Sequence, residues 1–207
     1  TSEWDESIDW YENPGTLDGA ILKPWPRHRI WRGTHLYPKP QIAVGDLDGD
    51  GRIDLATQSQ NWIHLFRNDP DSDSGYKGSK VKKQEFIQWI GRPMKFADLD
   101  DDGQLDIVGA LIHNDGLLPD DRASVFWMTA KGDPFDHRSW STHPIKWSDG
   151  YNSYSQWVGE KWDHLLFSDV DSDGDLDIVG NVEEHYRRVR KTHKSFFSVV
   201  WFENPLK

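Results

Sequence analysis

Three features of the 207-residue sequence predict an all-β chain built from repeated antiparallel sheets. An aspartate-rich stretch occurs three times, as "DLDGDGRIDL" at 46–55, "DLDDDGQLDI" at 98–107 and "DVDSDGDLDI" at 169–178, at spacings of 52 and 71 residues. Short apolar runs bounded by Gly and Asp lead into and out of each copy, as half-buried strands do. An aromatic segment then follows each copy: "WIHLFRND", "SVFWMTAKGD" and "SVVWFENP". No segment sustains a helical period, so helices should be few.

Taken in order, "IDWYENPG" opens the chain with no aspartate cluster before it, and "PRHRIW" supplies its partner strand. "QIAVGD", "RIDLAT", "WIHLFRND" and "QEFIQWI" make the next unit. "MKFADL", "QLDIVGA", "SVFWMTAKGD" and "SWSTHPI" make another, and "HLLFSD", "DLDIVGN" and "SVVWFENP" end the chain. Four strands per unit of about 50 residues is the blade of a β-propeller. With strands lettered a to d from inside to outside, the chain reads c-d, a-b-c-d, a-b-c-d, a-b-c. The expected division of this single domain is a blade fragment at 1–38 and blades at 39–91, 92–146 and 147–207. That is about three and a quarter blades, and propellers close with roughly four to eight. The chain is therefore expected to form part of a larger ring, completed by a missing N-terminal part or by self-association, because open strand edges invite pairing.

The repeated pattern is D-x-D-x-D-G-x-x-D. It places Asp46, Asp48, Asp50 and Asp54 in the first copy, Asp98, Asp100, Asp102 and Asp106 in the second, and Asp169, Asp171, Asp173 and Asp177 in the third. Carboxylates at alternating positions around a glycine turn suit Ca²⁺, which takes six to eight oxygens at flexible geometry. Gly51, Gly103 and Gly174 sit where the loop must turn, and the carbonyls of Arg52, Gln104 and Asp175 are the expected backbone ligands. An EF-hand would need a glutamate at position twelve and flanking helices. Thr57, Gly109 and Gly180 stand there instead, and strands follow. A solvated acidic turn is the alternative reading. Three copies in register argue against it, since unpaired like charges this close repel.

The formal charge of −11 excludes a basic nucleic-acid surface as the main feature, and three bound divalent cations would cancel more than half of it. There is no cysteine, hence no disulfide or thiolate site. No apolar run is long enough to span a membrane, and the first residues carry no signal-peptide pattern.

The aspartate pattern resembles the FG-GAP or VCBS repeats of calcium-binding propellers, found also in integrin α-subunit heads. The run from "GRPMKFADLDDDGQLDIVGALI" through "GEKWDHLLFSDVDSDGDLDIVGNVEEH" to "VVWFENPLK" resembles the C-terminal blades of secreted bacterial VCBS-repeat propellers. The resemblance covers nearly all of the chain. It implies a propeller with three Ca²⁺ sites, and it leaves function open because the fold hosts lectins, lyases and adhesion modules alike. Sites lacking the bidentate glutamate fill best at extracellular calcium, so a secreted or cell-surface protein is expected.

In a propeller the a-to-b and c-to-d turns share one face of the disc, and the b-to-c and d-to-a loops share the other. The long, irregular segments "RGTHLYPKP", "IHNDGLLPDDR", "KWSDGYNSYSQWVGEKWD" and "VEEHYRRVRKTHK" all fall on that second face, where recognition concentrates. Trp147, Tyr151, Tyr154, Trp157 and Trp162 among Ser, Asn and Gln suit stacking on sugar rings, and Tyr151, Tyr154 and Trp157 are the expected exposed members. Arg187 and Arg188 lie in a basic cluster that suits an anionic glycan, unless its charges pair with Glu183 and Glu184. The favoured function is a non-catalytic binding or scaffold module for carbohydrate, especially acidic polysaccharide, or for an extracellular protein. A polysaccharide lyase is the alternative, with His113, His185, Tyr186 and Arg187 as candidates for proton abstraction and carboxylate neutralisation. Adhesion or self-assembly through open edges is the third reading.

Overall fold

The protein is described by a computed structural model covering residues 7–15, 24–33, 41–59, 61–87, 91–111, 123–147, 159–187 and 193–205. A strand pair, β1 (Ser7–Tyr11) and β2 (Arg27–Arg32), precedes two four-stranded sheets and one three-stranded sheet. Blade 1 runs β3 (Ala43–Gly45), β4 (Asp54–Gln58), β5 (Trp62–Asn68), β6 (Tyr76–Lys82). Blade 2 runs β7 (Gly91–Ala97), β8 (Asp106–Leu111), β9 (Ala123–Ala130), β10 (Trp140–Trp147). Blade 3 holds β11 (Gly159–Ser168), β12 (Asp177–Arg187) and β13 (His193–Phe202). All neighbouring strands are antiparallel. Among the described residues the only helical element is a 3₁₀ turn at Glu85–Ile87. The all-β, blade-built architecture expected from the repeats is therefore present, as an arc of sheets and not a closed ring.

The core lies between sheets. β4 and β8 are buried along their whole length, because each is covered on both faces. Ala56, Ile63 and Leu65 of blade 1 meet Met94, Ile107, Phe126 and Met128 of blade 2. Val108, Ala110 and Val125 on the other side of blade 2 meet Leu165, Ile178 and Val182 of blade 3. Ile8 and Ile30 of the N-terminal pair pack on Leu55 and Phe66 of blade 1. The inner strands curve tightly enough for Gln41, just before β3, to donate from Nε2 to the carbonyl of Asp163 on β11 at 2.9 Å, two blades away.

Gly109 and Gly180 hold the same place in successive b strands, three residues past the last aspartate of the repeat. A Cβ at Gly109 would sit 2.4 Å from the Phe126 ring, and one at Gly180 would sit 2.7 Å from Trp162. Small residues here admit the aromatic that fills the interface. Gly109→Ala is expected to destabilise the fold by about 1–3 kcal/mol through overpacking, read from a shifted denaturant midpoint with an unchanged slope.

Three sequence expectations need correction. The outer strand of blade 1 is not "QEFIQWI" but Tyr76–Lys82. An outermost strand is mostly exposed, and only Val81 of β6 is fully buried, so it carries no apolar alternation. Phe86 and Ile87, which drew the assignment, instead pack into the blade 1–blade 2 core from the 3₁₀ turn. The second correction concerns the segment at 182–194: strand continues through Arg187 and resumes at His193, leaving a much shorter connection. Third, Trp162 is not a loop aromatic; it is fully buried on β11 and donates from Nε1 to Glu160 at 3.1 Å.

Blade 3 carries several exposed apolar residues among those described. Val199 and Trp201 occupy the positions of the buried Ile63 and Leu65 in blade 1 and of Val125 and Trp127 in blade 2, as the b–c pairings show. Here they are 77% and 46% exposed, beside Phe197 at 79% and Leu166 at 57%.

Candidate metal centre

Each aspartate repeat forms the tight turn between strands a and b, and the three turns are built alike. The first aspartate folds the loop back on itself. Asp46 accepts from the N–H groups of Asp50 (3.0 Å) and Gly51 (2.8 Å). Asp98 does the same for Asp102 and Gly103, and Asp169 for Asp173 and Gly174. The third aspartate accepts from the residue two ahead: Asp50 from Arg52, Asp102 from Gln104, Asp173 from Asp175. The motif glycines adopt the left-handed backbone this requires, with φ of 86°, 87° and 99° at Gly51, Gly103 and Gly174. A second left-handed residue sits two positions earlier, at Gly49, Asp101 and Ser172.

The fourth aspartate has a different task. Asp54 accepts from Leu47 N–H (3.0 Å) and Asn68 N–H (2.7 Å), and Asp177 from Val170 and Asn204 (both 2.9 Å). Asp106 accepts from Leu99 N–H at 3.0 Å. These buried carboxylates staple the a–b turn, in two blades directly to the end of strand c.

The turns bring together one carboxylate oxygen from each of Asp46, Asp48 and Asp50, with all three atoms within 4.8 Å of one another. Asp98, Asp100 and Asp106 do so in the second turn, and Asp169, Asp171 and Asp177 in the third. At such a distance two ionised carboxylates repel by about 3 kcal/mol at an effective dielectric near 20. Asp48 Oδ1 and Asp100 Oδ1 are moreover buried acceptors without a hydrogen-bond partner. A buried, unsatisfied carboxylate oxygen costs free energy unless a cation or donor meets it. An all-oxygen donor set around such orphan atoms fits a hard divalent cation such as Ca²⁺.

The first turn differs from the others in bearing two guanidinium groups. Arg52 pairs with Asp50. Arg67 of β5 pairs through Nε with Asp48 Oδ2 at 2.9 Å, reaches Asp133 of the blade 2 c–d turn at 2.6 Å, and stacks 4.3 Å over the Phe135 ring. The a–b and c–d turns thus share one face, as expected for blades. Thr129 and Glu203 replace Arg67 in the other two blades, by alignment of the c strands. Arg67→Gln is expected to tighten calcium at the first site several-fold, resolved by titration calorimetry of the variant against the parent.

Burial pushes the Asp106 carboxyl up to about 6, against the lowering effect of its Leu99 hydrogen bond, with the Asp100 charge adding to the rise. Burial likewise raises Asp54, whereas the Val170 and Asn204 N–H groups hold Asp177 below the usual carboxylate range. A folded pKa above the unfolded one means that the unfolded chain loses its proton first. Metal-free stability from Asp106 therefore falls as pH rises from about 4 to about 6, by on the order of 1–2 kcal/mol after allowance for solvent screening. Calcium should reverse that slope, as thermal melts across this window with and without chelator would register.

His113, Tyr151, Tyr154, Trp157 and Arg188 lie outside the described residues. His185, Tyr186 and Arg187 are the last residues of β12, in register with Ser195, Lys194 and His193 of β13. Among the neighbouring charges, Glu183 is paired with Lys161 of β11 at 2.9 Å. Trp147 is half-exposed at the end of β10 against Phe86. Arg67 and Asp133 went unremarked in the sequence, since nothing local marks two residues 66 apart as partners.

No curated protein and no solved structure matches the chain. Residues 46–109, which run from the first aspartate of the first turn through the second turn to Gly109 of β8, match the family described as the FG-GAP-like repeat, and this stretch is a propeller-type repeat module.

Proposed function

We propose that the chain is a calcium-pinned propeller module whose three aspartate turns rigidify one face so that the opposite face can hold a ligand. Ca²⁺ occupies three sites, with Asp46, Asp48 and Asp50, Asp98, Asp100 and Asp106, and Asp169, Asp171 and Asp177 as the carboxylate donors. The observation that carries this reading is the orphaned, buried oxygen of Asp48 and of Asp100 within turns folded back by their first aspartate. Titration calorimetry on protein stripped with chelator tests it. Binding of about three Ca²⁺ per chain is expected, and no heat at millimolar calcium would overturn it.

The ligand class we infer is carbohydrate, in particular acidic polysaccharide, met by Tyr151, Tyr154, Trp157, Arg187 and Arg188 on the b–c and d–a face. The warrant is the aromatic and basic composition of those segments. Extracellular calcium and extracellular glycan make a secreted or cell-surface setting the consistent one. A glycan array with the parent and Trp157→Ala tests the ligand class, and equal signals from both would sink it. Release of unsaturated uronate, followed by absorbance on the same acidic polysaccharides, would instead assign a lyase.

A second reading is favoured by one observation. On the exposed face of Leu166, Phe197, Val199 and Trp201, Val199 repeats the buried Ile63 and Val125, and Trp201 repeats the buried Leu65 and half-buried Trp127. Assembly through that face predicts a mass that rises with concentration in sedimentation equilibrium.

A further inference from the structure

We propose that Arg67 is a tethered counter-cation of the first turn: anchored in blade 2, it competes with the ion for Asp48, so that the first site fills last and its calcium affinity is set from across the blade boundary. The proposal rests on the calcium reading of the three turns and concerns what sets one of them apart.

The turns share a backbone, but the charges around them differ. The residue after the motif glycine is Arg52, Gln104 or Asp175. The c-strand residue after the one paired with Leu55, Ile107 or Ile178 is Arg67, Thr129 or Glu203. The first turn thus gains two guanidinium groups where the second has neutral side chains and the third has carboxylates. Two of its three clustered carboxylates are already paired, Asp50 with Arg52 and Asp48 with Arg67. A divalent ion entering this turn meets resident positive charge that the equivalent positions of the other two do not supply.

Arg52 belongs to the turn itself, whereas Arg67 reaches it from β5, and the contacts of Arg67 are unequal. Toward blade 2 it donates to Asp133 Oδ1 at 2.6 Å and lies 4.3 Å over the Phe135 ring. That acceptor is itself held in place, because Asp133 Oδ1 also accepts from Phe135 N–H at 2.9 Å. Toward the first turn, Arg67 Nε lies 2.9 Å from Asp48 Oδ2, yet this buried nitrogen makes no aligned hydrogen bond. The anchor is therefore in blade 2, and the contact with Asp48 is a charge attraction that weakens once a divalent ion neutralises the carboxylate. Asp48 is divided accordingly: Oδ2 faces Arg67, and Oδ1 is the buried oxygen without a partner. Both side chains line an open cleft of about 550 Å³ between the blades, together with Asp46, Asp102 and Asp133, so an ion reaches the first turn past Arg67.

Coupling of this kind is reciprocal. If calcium loosens Arg67 from Asp48, then Arg67 weakens calcium by the same factor. Asp133 acquires a part in metal binding although it stands outside the Asp46, Asp48 and Asp50 group. By holding the guanidinium toward blade 2, it draws Arg67 off Asp48; without it, Arg67 commits to Asp48 and calcium binds more weakly. Loss of the Asp133 charge alone would also weaken a nearby cation, but that effect does not require Arg67, and a double-mutant cycle separates the two.

The test follows the amide resonances of Gly51, Gly103 and Gly174 in the full chain as calcium is added at about 0.15 M salt, where long-range fields are screened. Each glycine donates to the first aspartate of its own turn and so reports that turn. The Gly51 midpoint is expected at about 3- to 10-fold higher calcium than the other two. Arg67→Gln should lower it by at least about 3-fold and leave Gly103 and Gly174 where they were. Asp133→Asn keeps the Oδ1 acceptor for Phe135 N–H. It should raise the Gly51 midpoint by about 2-fold or more, and leave it unchanged once Arg67→Gln is present. In chelator, urea melts should show the two substitutions to be less than additive, since each breaks the same pair. Equal midpoints at the three glycines of the parent, or Asp133→Asn acting alike with and without Arg67→Gln, would overturn the proposal and leave calcium binding intact. No response of any glycine to millimolar calcium would overturn the calcium reading itself, and the proposal with it.

Discussion

Calcium at 10 mM is expected to raise the unfolding midpoint by about 10–25 °C over that in chelator. Sites without a bidentate glutamate fall in the range of extracellular modules, with Kd of about 10⁻⁴ to 10⁻³ M. Ligand that binds only the folded state adds RT ln(1 + [Ca²⁺]/Kd) per site, or about 1.4–2.7 kcal/mol each at 10 mM. Three sites sum to about 4–8 kcal/mol, and a domain of this size moves by roughly 2–4 °C per kcal/mol. The effect is large because the metal-free turns hold three carboxylates within 4.8 Å of one another. Scanning calorimetry decides it. A shift under about 2 °C would mean that the turns are stable acidic loops without a resident ion. Magnesium should do much less at the same concentration, because its near-octahedral shell at about 2.1 Å does not suit a flexible carboxylate cage.

What was legible in the sequence is what local spacing encodes. Asp46 and Gly51 bond within one six-residue turn, so the aspartate and glycine positions alone announce the loop, and three copies announce the blades. The inner strands were legible because both of their faces are buried, as the unbroken burial of β4 and β8 shows. β6 was not, since an outer strand makes little apolar contact and its identity comes from pairing with β5. Trp162 read as a loop aromatic because its burial depends on Gly180 in a strand eighteen residues later. One signal went unused: Tyr76 and Trp140 each follow a c strand by a short turn, and their common place marks the start of strand d. The division of labour within the motif was hidden as well. Four identical residues suggest four ligands, yet Asp54 spends both oxygens on backbone N–H groups and stands outside the carboxylate triad of its turn.

That division predicts opposite responses from two aspartates of one turn. Asp54→Ala removes the acceptor of the Leu47 and Asn68 N–H groups, and a buried donor left unpaired costs about 1–3 kcal/mol. Part of that loss is offset, because burial raises the Asp54 carboxyl and its removal relieves a desolvated charge. A net destabilisation of about 2–4 kcal/mol is expected in chelator, before any calcium enters the comparison. Asp50→Ala gives up a hydrogen bond from Arg52 N–H and a largely exposed ion pair, while removing one charge from the crowded triad. In chelator its stability should stay within about 1 kcal/mol of the parent, since exposed pairs contribute little. In calcium the order of effects changes: Asp50→Ala forfeits the stabilisation of its site, and its midpoint rises less than the parent's. Urea melts of both variants, with and without calcium, separate the two roles. If Asp54→Ala were as stable as the parent in chelator, Asp54 would not be the staple of its turn. The coupling of a–b turn to strand c would then depend on the ion alone.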